Sequence, residues 1–191
     1  MNMVWSKPFR TTSRFVRERS LLYADRPIEQ RVRSNDASIQ SQLMQEPWSR
    51  SNRLECTLFV AAYNGLRLLG KSEGALDAAV EPLRRRFGDR LVVDAPSVRY
   101  AFGVPTLEPY MTVAISGPHR YLAPIQTDFL RRRGRVKRVQ YGGPFVLEGE
   151  APLAGLLGYR QWLRDSLDDI PNLDLRLSRY LPIDDGGPRA A

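Results

Sequence analysis

Hydrophobic positions along the chain fall into short runs whose spacing switches between the two-residue period of a strand and the three-to-four-residue period of a helix. The pattern is clearest after residue 108. Residues 111–116 read as a strand, and Leu122, Ile125 and Phe129 mark a helix that Pro124 can begin, since proline suits a first turn, and that Gly134 ends. Residues 135–141 form a second strand, Gly142-Gly143-Pro144 a turn, and residues 145–151 a third strand. Leu153, Leu156, Leu157, Leu163 and Leu167 line one face of a second helix, and Leu173, Leu175 and Leu177 alternate with Asp174, Arg176 and Ser178 as a half-buried last strand. The order β-α-β-β-α-β is that of the split βαβ or ferredoxin-like unit, so the fold class is α+β.

The preceding half carries a weaker version of the same alternation. Residues 27–33 suit a short strand, and Asn35 or Asp36 can cap a helix through Ile39, Leu43 and Met44. Two apolar runs, 54–62 and 66–69, flank Tyr63-Asn64-Gly65, and Asn-Gly between such runs signals a β-hairpin. Leu76, Val80, Leu83 and Phe87 recur at helical spacing, with Gly88 placed to stop the helix and Pro82 expected to kink or shift it. Residues 91–93 and 97–102 look like strand broken at Pro96, and 103–109 like a linker. The expected organisation is a flexible basic arm over 1–25, a degenerate ferredoxin-like domain over 26–103, a ferredoxin-like domain over 108–183 and a loose tail over 184–191.

Composition narrows the function classes. With 191 residues and 42% hydrophobic content the chain can bury a real core, and no apolar run reaches the roughly 18 residues of a membrane span. The single cysteine, Cys56, sits in a strand-like run and allows no disulfide framework, which points to a reducing cytoplasm. His119 is the only histidine, so a zinc site or a histidine-based nucleophilic constellation lacks members, and no cofactor or enzymatic activity is expected. In Gly-Pro-His-Arg it reads as a solvated loop residue. The net charge of +8 calls for a polyanionic partner, with nucleic acid ahead of acidic lipid.

One stretch raises a competing reading. Gly65-x-x-x-x-Gly70-Lys71-Ser72 has the spacing of a Walker A loop, and residues 91–94 could pass for a Walker B strand. A phosphate loop, however, wraps consecutive backbone N–H groups around an anion and favours small residues, whereas this interior is Leu66-Arg67-Leu68-Leu69. The alternative is a hairpin strand followed by a helix that Ser72 caps.

Longer motifs point elsewhere. Glu108-Pro109-Tyr110-Met111, then Tyr121-Leu122 with Arg132-Arg133-Gly134, then Ala151-Pro152-Leu153-Ala154-Gly155-Leu156-Leu157-Gly158-Tyr159 follow one another over about 75 residues. In order and spacing this series resembles the C-terminal (fifth) domain of elongation factor G and its relatives LepA and BipA, with its Y-[LM]…RRG helix and P-L-x-x-[ML]-[FIL]-G-[YF] signature. Upstream, residues 70–76, Arg85-Arg86-Phe87-Gly88 and Pro96-Ser97-Val98-Arg99-Tyr100 resemble the end of the same factors' third domain, with Ser72, Gly74 and Ala75 departing from its pattern. The Thr-x-Gly that follows the family's last helix has no counterpart in Ser166-Leu167-Asp168-Asp169. The resemblance implies a ribosome-binding module read without a GTPase domain, docking near large-subunit RNA and the stalk-base proteins and modulating factor access. It also allows a protein-interaction module that partners a separate GTPase.

The residues themselves supply a matching surface. Arg131, Arg132, Arg133, Arg135, Lys137 and Arg138 put six cations into eight positions, a density suited to neutralising phosphates. A solvated helix C-terminus would also collect cations. Arg84, Arg85 and Arg86 form a secondary cluster, and Tyr121 and Tyr141 are aromatic side chains that can either stack on a base or pack.

Overall fold

Two antiparallel sheets backed by helices account for residues 24–45, 57–62, 64–101, 105–169 and 171–183, the part of the chain that this computed structural model describes. The arm expected over 1–25, apart from Ala24 and Asp25, lies outside the described residues, as do 54–56 with Cys56 and the tail 184–191.

The first sheet contains β1 (Ile28–Ser34), β2 (Thr57–Ala62), β3 (Gly65–Gly70) and β4 (Leu91–Val93) in the order β2-β3-β1-β4, with β5 (Ser97–Val98) also on β1. Helix α1 (Ala37–Gln45) starts where the Asp36 carboxylate accepts from the N–H groups of Ser38 (2.8 Å) and Ile39 (3.3 Å), which turns Ile39 and Leu43 into the core. Helix α2 (Glu73–Phe87) is capped by Ser72, whose Oγ accepts from the Ala75 N–H at 3.2 Å. Its Leu76, Val80, Leu83 and Phe87 are all buried, and Gly88 ends it at φ 59°. Pro82 falls on the exposed side and the helix runs through it, so the expected shift does not occur.

The Walker-like stretch takes the alternative form. Residues 66–70 pair with both β1 and β2, so their N–H and C=O groups sit in sheet ladders and cannot cradle a phosphate. At Gly65, with φ +135°, a Cβ would stand 2.6 Å from the Val32 carbonyl oxygen, so both the backbone angle and the space require glycine. Lys71 pairs with Asp25 at 3.6 Å.

The second sheet repeats the topology. It contains β6 (Leu107–Gly117), β7 (Arg135–Gln140), β8 (Phe145–Pro152) and β9 (Asn172–Pro182) in the order β7-β8-β6-β9. Helices α3 (Leu122–Arg131), α4 (Leu153–Leu156) and α5 (Tyr159–Ser166) pack on one face. In both sheets the first strand lies between the third and fourth, the ferredoxin-like α+β arrangement. One hydrophobic core joins the two, from Ile28 and Leu76 through Met111 and Phe129 to Leu173. Two polar links reinforce it: the Gly158 N–H donates to Glu73 Oε1 and the Tyr180 hydroxyl to the Ala24 carbonyl, each at 2.9 Å. Among the described residues no helix is long and apolar enough to cross a membrane.

Three elements depart from the sequence reading. Strand β5 stops at Val98, and Ala101 makes only an isolated bridge to Leu107. Strand β6 begins at Leu107, inside the expected linker, because β9 runs on to Pro182 and keeps pairing with it. Pro109 is tolerated there since the pairing with β8 starts only at Tyr110, which leaves the proline one neighbouring strand. The third departure is the second helix, which is two helices: Leu157 is extended and Gly158 left-handed at φ 72°, so the leucine spacing from 153 to 167 spans a break.

That break brings Tyr159 beneath Arg132. The Arg132 guanidinium lies 4.8 Å from the centre of the Tyr159 ring and 5.7 Å from that of Trp162, two rings that stack at 5.6 Å and 11°. Its Nε donates to Asp128 at 2.5 Å and its Nη1 to the Gly155 carbonyl at 3.1 Å. The Tyr159 hydroxyl is buried with no hydrogen-bond partner among the described residues, and burial pushes its pKa upward. The ring, not the hydroxyl, therefore holds the contact. Tyr159→Phe is expected to change the unfolding free energy by less than about 1 kcal/mol, while Tyr159→Leu should cost about 2 to 4 kcal/mol in urea titrations.

Candidate nucleic-acid interface

The basic segment that is continuous in sequence is divided by the fold. Helix α3 ends in a turn where Gly134 N–H donates to the Phe129 carbonyl (2.9 Å) and Arg133 N–H to that of Leu130 (3.0 Å). This is the Schellman pattern, with Arg133 in the left-handed position at φ 64°. Sequence reading gave the helix stop to Gly134, and Gly134 is needed for a different reason: a Cβ would fall 2.5 Å from the Phe129 carbonyl oxygen. Arg133 occupies the unfavourable conformation while its Nη2 donates to Glu108 Oε1 at 2.9 Å, compensating a carboxylate whose side chain is only 2% exposed. Of the three arginines at the turn, Arg132 and Arg133 are thus held by the fold, and Arg131 is exposed with no ion pair among the described residues.

Beyond the turn, β7 carries the remaining cations onto the face of the sheet that has no helices. Residues directly opposite in an antiparallel sheet share a face. The register aligns Arg135, Glu150, Thr112 and Arg176 in one row, and Arg138, Glu148, Ala114 and Asp174 in the next. Met111, Val113, Ile115, Phe145 and Leu147 point the other way, into the core. Arg135 and Arg138 are exposed and make no ion pair among the described residues. Lys137 sits where the β7–β8 register slips between Val136 and Arg138, and its Nζ reaches Glu150 Oε1 at 2.6 Å.

Glu150 is the anchor of this face. Arg179 grips it with two hydrogen bonds, Nη1 to Oε1 at 2.9 Å and Nη2 to Oε2 at 2.8 Å, and Lys137 closes the third side. These two donors, Arg179 foremost, hold the Glu150 carboxyl below the usual glutamate range. The sequence drew attention to neither Arg176 nor Arg179, because their Leu/polar alternation reads only as a half-buried strand; what joins them to Arg135 is sheet register, a long-range property.

The other singled-out residues separate clearly. Arg84, Arg85 and Arg86 lie exposed on the last turn of α2, where Arg85 pairs with Glu81 at 2.9 Å and the Arg86 guanidinium rests 5.2 Å over the Phe87 ring. Tyr121 is buried; its hydroxyl accepts from Arg120 at 3.0 Å and from the Asp169 N–H at 3.3 Å, so this tyrosine packs. Tyr141 is 74% exposed at the β7–β8 turn.

A split-βαβ domain with a cationic, helix-free sheet face is the class of protein defined by this geometry. Residues 105–185 match the family model described as Elongation factor G C-terminus. Among similar curated proteins, Elongation factor G 2 of Anaeromyxobacter dehalogenans is 35% identical over 78 residues, covering 40% of this chain and 11% of the relative. Ribosome-releasing factor 2, mitochondrial, of Bos taurus is 33% identical over 75 residues, or 39% of this chain and 10% of the relative. Elongation factor G of Cytophaga hutchinsonii is 33% identical over 79 residues, or 41% and 11%. The second sheet unit is therefore related to the C-terminal region of elongation factor G, and the match spans about a tenth of the length of these relatives.

The Glu150 clamp has a pH signature. Because its folded pKa is depressed, its contribution to stability is complete above the ordinary glutamate pKa of about 4.3 and is lost as pH falls from there through the lower folded value. Glu150→Gln should be less stable than the parent at neutral pH and lose less further stability between roughly pH 5 and pH 3. Urea unfolding across that range checks this; parallel curves for the two proteins would remove Glu150 from the linkage.

Proposed function

We propose that this chain is a non-catalytic ribosome-binding protein that contacts ribosomal RNA phosphates through the free cations of the basic segment, in the cytoplasm and without a nucleotide of its own. The observation that carries the reading is the division of the segment. Arg131, Arg135 and Arg138 have no intramolecular ion pair among the described residues, although carboxylates stand directly across the sheet from the last two. Glu150, across from Arg135, is already clamped by Arg179 and Lys137, so exposed guanidinium groups without an internal acid suit an external anion, and arginine's forked donors match phosphate oxygens.

The relationship to elongation factor G supports ribosomal RNA as the polyanion, since the similar proteins are elongation and ribosome-releasing factors. Large-subunit RNA with the stalk-base proteins is the docking site this reading favours, and a chain that occupies it would modulate the access of full-length factors. Phosphate contacts of this kind position a protein without reading sequence. In this scheme residues 108–183 present the cationic face, and residues 26–103 form a second domain packed against them.

The test is sedimentation of the full chain with ribosomal subunits over a salt series. Replacing Arg131, Arg135 and Arg138 together by Gln should weaken association at moderate salt and reduce the slope of log affinity against log salt by about 2 to 3, at roughly 0.7 to 0.9 per lost contact. Stability should stay within about 0.5 kcal/mol of the parent, because none of the three is paired. A triple variant that melts normally and sediments with an unchanged slope would remove these residues from the interface.

A further inference from the structure

At the end of the second sheet, Tyr141 presents an aromatic ring to solvent in a way the packing of the domain does not explain. The topology places it there: β6 ends at Gly117, which pairs with Phe145, so the loop after β6 and the turn before β8 lie side by side. His119, from that loop, sits with its ring tilted 49° against Phe145 at 6.4 Å between centroids, and Phe145 is fully buried. Tyr141, from the turn, lies parallel to His119 at 7° with centroids 6.1 Å apart. The result is a tier of three rings rising from the core, whose outermost member keeps 74% of its surface exposed.

The ground beside the ring is open. A Cβ added at Gly142 or Gly143 would meet no atom within 4 Å, and Gly143 holds φ 64°, the left-handed conformation that tightens the turn and leaves Tyr141 standing clear. The same strand leads from the ring to free charge. Gln140 is exposed next to it, and Arg138, with no ion pair among the described residues, lies three positions back along β7, about 10 Å by strand rise. An aromatic ring at the end of a cationic strand is the pairing used to hold single-stranded nucleic acid: the cations follow the phosphates and the ring takes a base face, whichever base it is.

We propose that Tyr141, backed by His119, is a stacking platform for one unpaired RNA nucleobase, with the adjoining phosphate on Arg138. This proposal rests on the RNA-binding reading above and adds a preference for looped or single-stranded RNA over duplex. A duplex offers its base faces only at its ends, whereas the free cations meet duplex and single-strand phosphates alike.

The experiment compares the full-length parent with Tyr141→Ala, Tyr141→Phe and Arg138→Gln, using an unstructured RNA oligonucleotide and a duplex of the same length, each over a salt series. Tyr141→Ala should lose roughly 5- to 100-fold in affinity for the single strand with an unchanged salt slope, and keep its duplex affinity. Tyr141→Phe should stay within about twofold of the parent, because the ring face and not the hydroxyl makes the contact. Arg138→Gln should weaken both RNAs and lower the slope by roughly 0.7 to 0.9. If Tyr141→Ala binds the single strand as the parent does, or weakens both RNAs equally, the platform is wrong while the phosphate contacts stand. If the parent binds neither RNA, both readings fall.

Discussion

The Arg132 guanidinium is the point at which the second sheet unit is tied together. It reaches α3 through Asp128, α4 through the Gly155 carbonyl and α5 through the faces of Tyr159 and Trp162. The fit is tight from both sides, since a Cβ on Gly155 would lie 2.2 Å from the Arg132 carbonyl oxygen. A charge this enclosed is stable only while its partners stay, and hydrogen bonds to a charged group contribute about 1.5 to 3 kcal/mol each. Two short motifs far apart in sequence, the Arg-Arg-Gly at 132–134 and the Gly155-to-Tyr159 stretch, are thus the two halves of one contact. Both motifs lie within the residues 105–185 that match the elongation factor G C-terminus model.

From that contact follows the sorting of the basic segment. Arg132 turns inward at the C-cap of α3, and the turn that follows places Arg133 over Glu108 in a left-handed conformation. The chain then enters β7 with Arg135 and Arg138 facing the helix-free side and with Lys137, at the register slip, closing on Glu150. Dense positive charge in a sequence therefore conceals two populations. One neutralises buried or half-buried carboxylates; the other is exposed and makes no ion pair among the described residues. Glu150 shows how the first supports the second, since its clamp from Lys137 and Arg179 ties the acid down beside the free Arg135.

Much of the architecture was legible because it is local. The alternation at 145–151 and 173–177, the Leu76-to-Phe87 face and the Ser72 and Asp36 caps each depend on neighbours within a few residues, and each is seen. The Asn-Gly signal pointed to the hairpin, and the pairing of residues 65–70 with β1 and β2 places that part of the glycine-lysine stretch in a strand. What the sequence could not show depends on distant partners. Leu153 to Leu167 satisfy a helical period, but the break at Gly158 is made by packing under Arg132 and by the N–H that Glu73 accepts from another element. The start of β6 at Leu107 is set by the length of β9, and the division of the cations by sheet register. The candidate site was thus recognised as a segment, while its membership required the fold: Arg176 and Arg179 join the surface from 40 or so residues away, and Arg132 leaves it.

The central claim is that neighbouring arginines in one basic run do separate jobs. Single Gln replacements at Arg131, Arg132, Arg133, Arg135 and Arg138, each measured in parallel for melting temperature and for cosedimentation with ribosomal subunits, test it most directly. Arg132→Gln and Arg133→Gln should lower the melting temperature. Arg131→Gln, Arg135→Gln and Arg138→Gln should leave it in place and weaken cosedimentation. Equal loss of binding at all five positions with melting unchanged throughout would show one undivided basic patch, and would contradict the account.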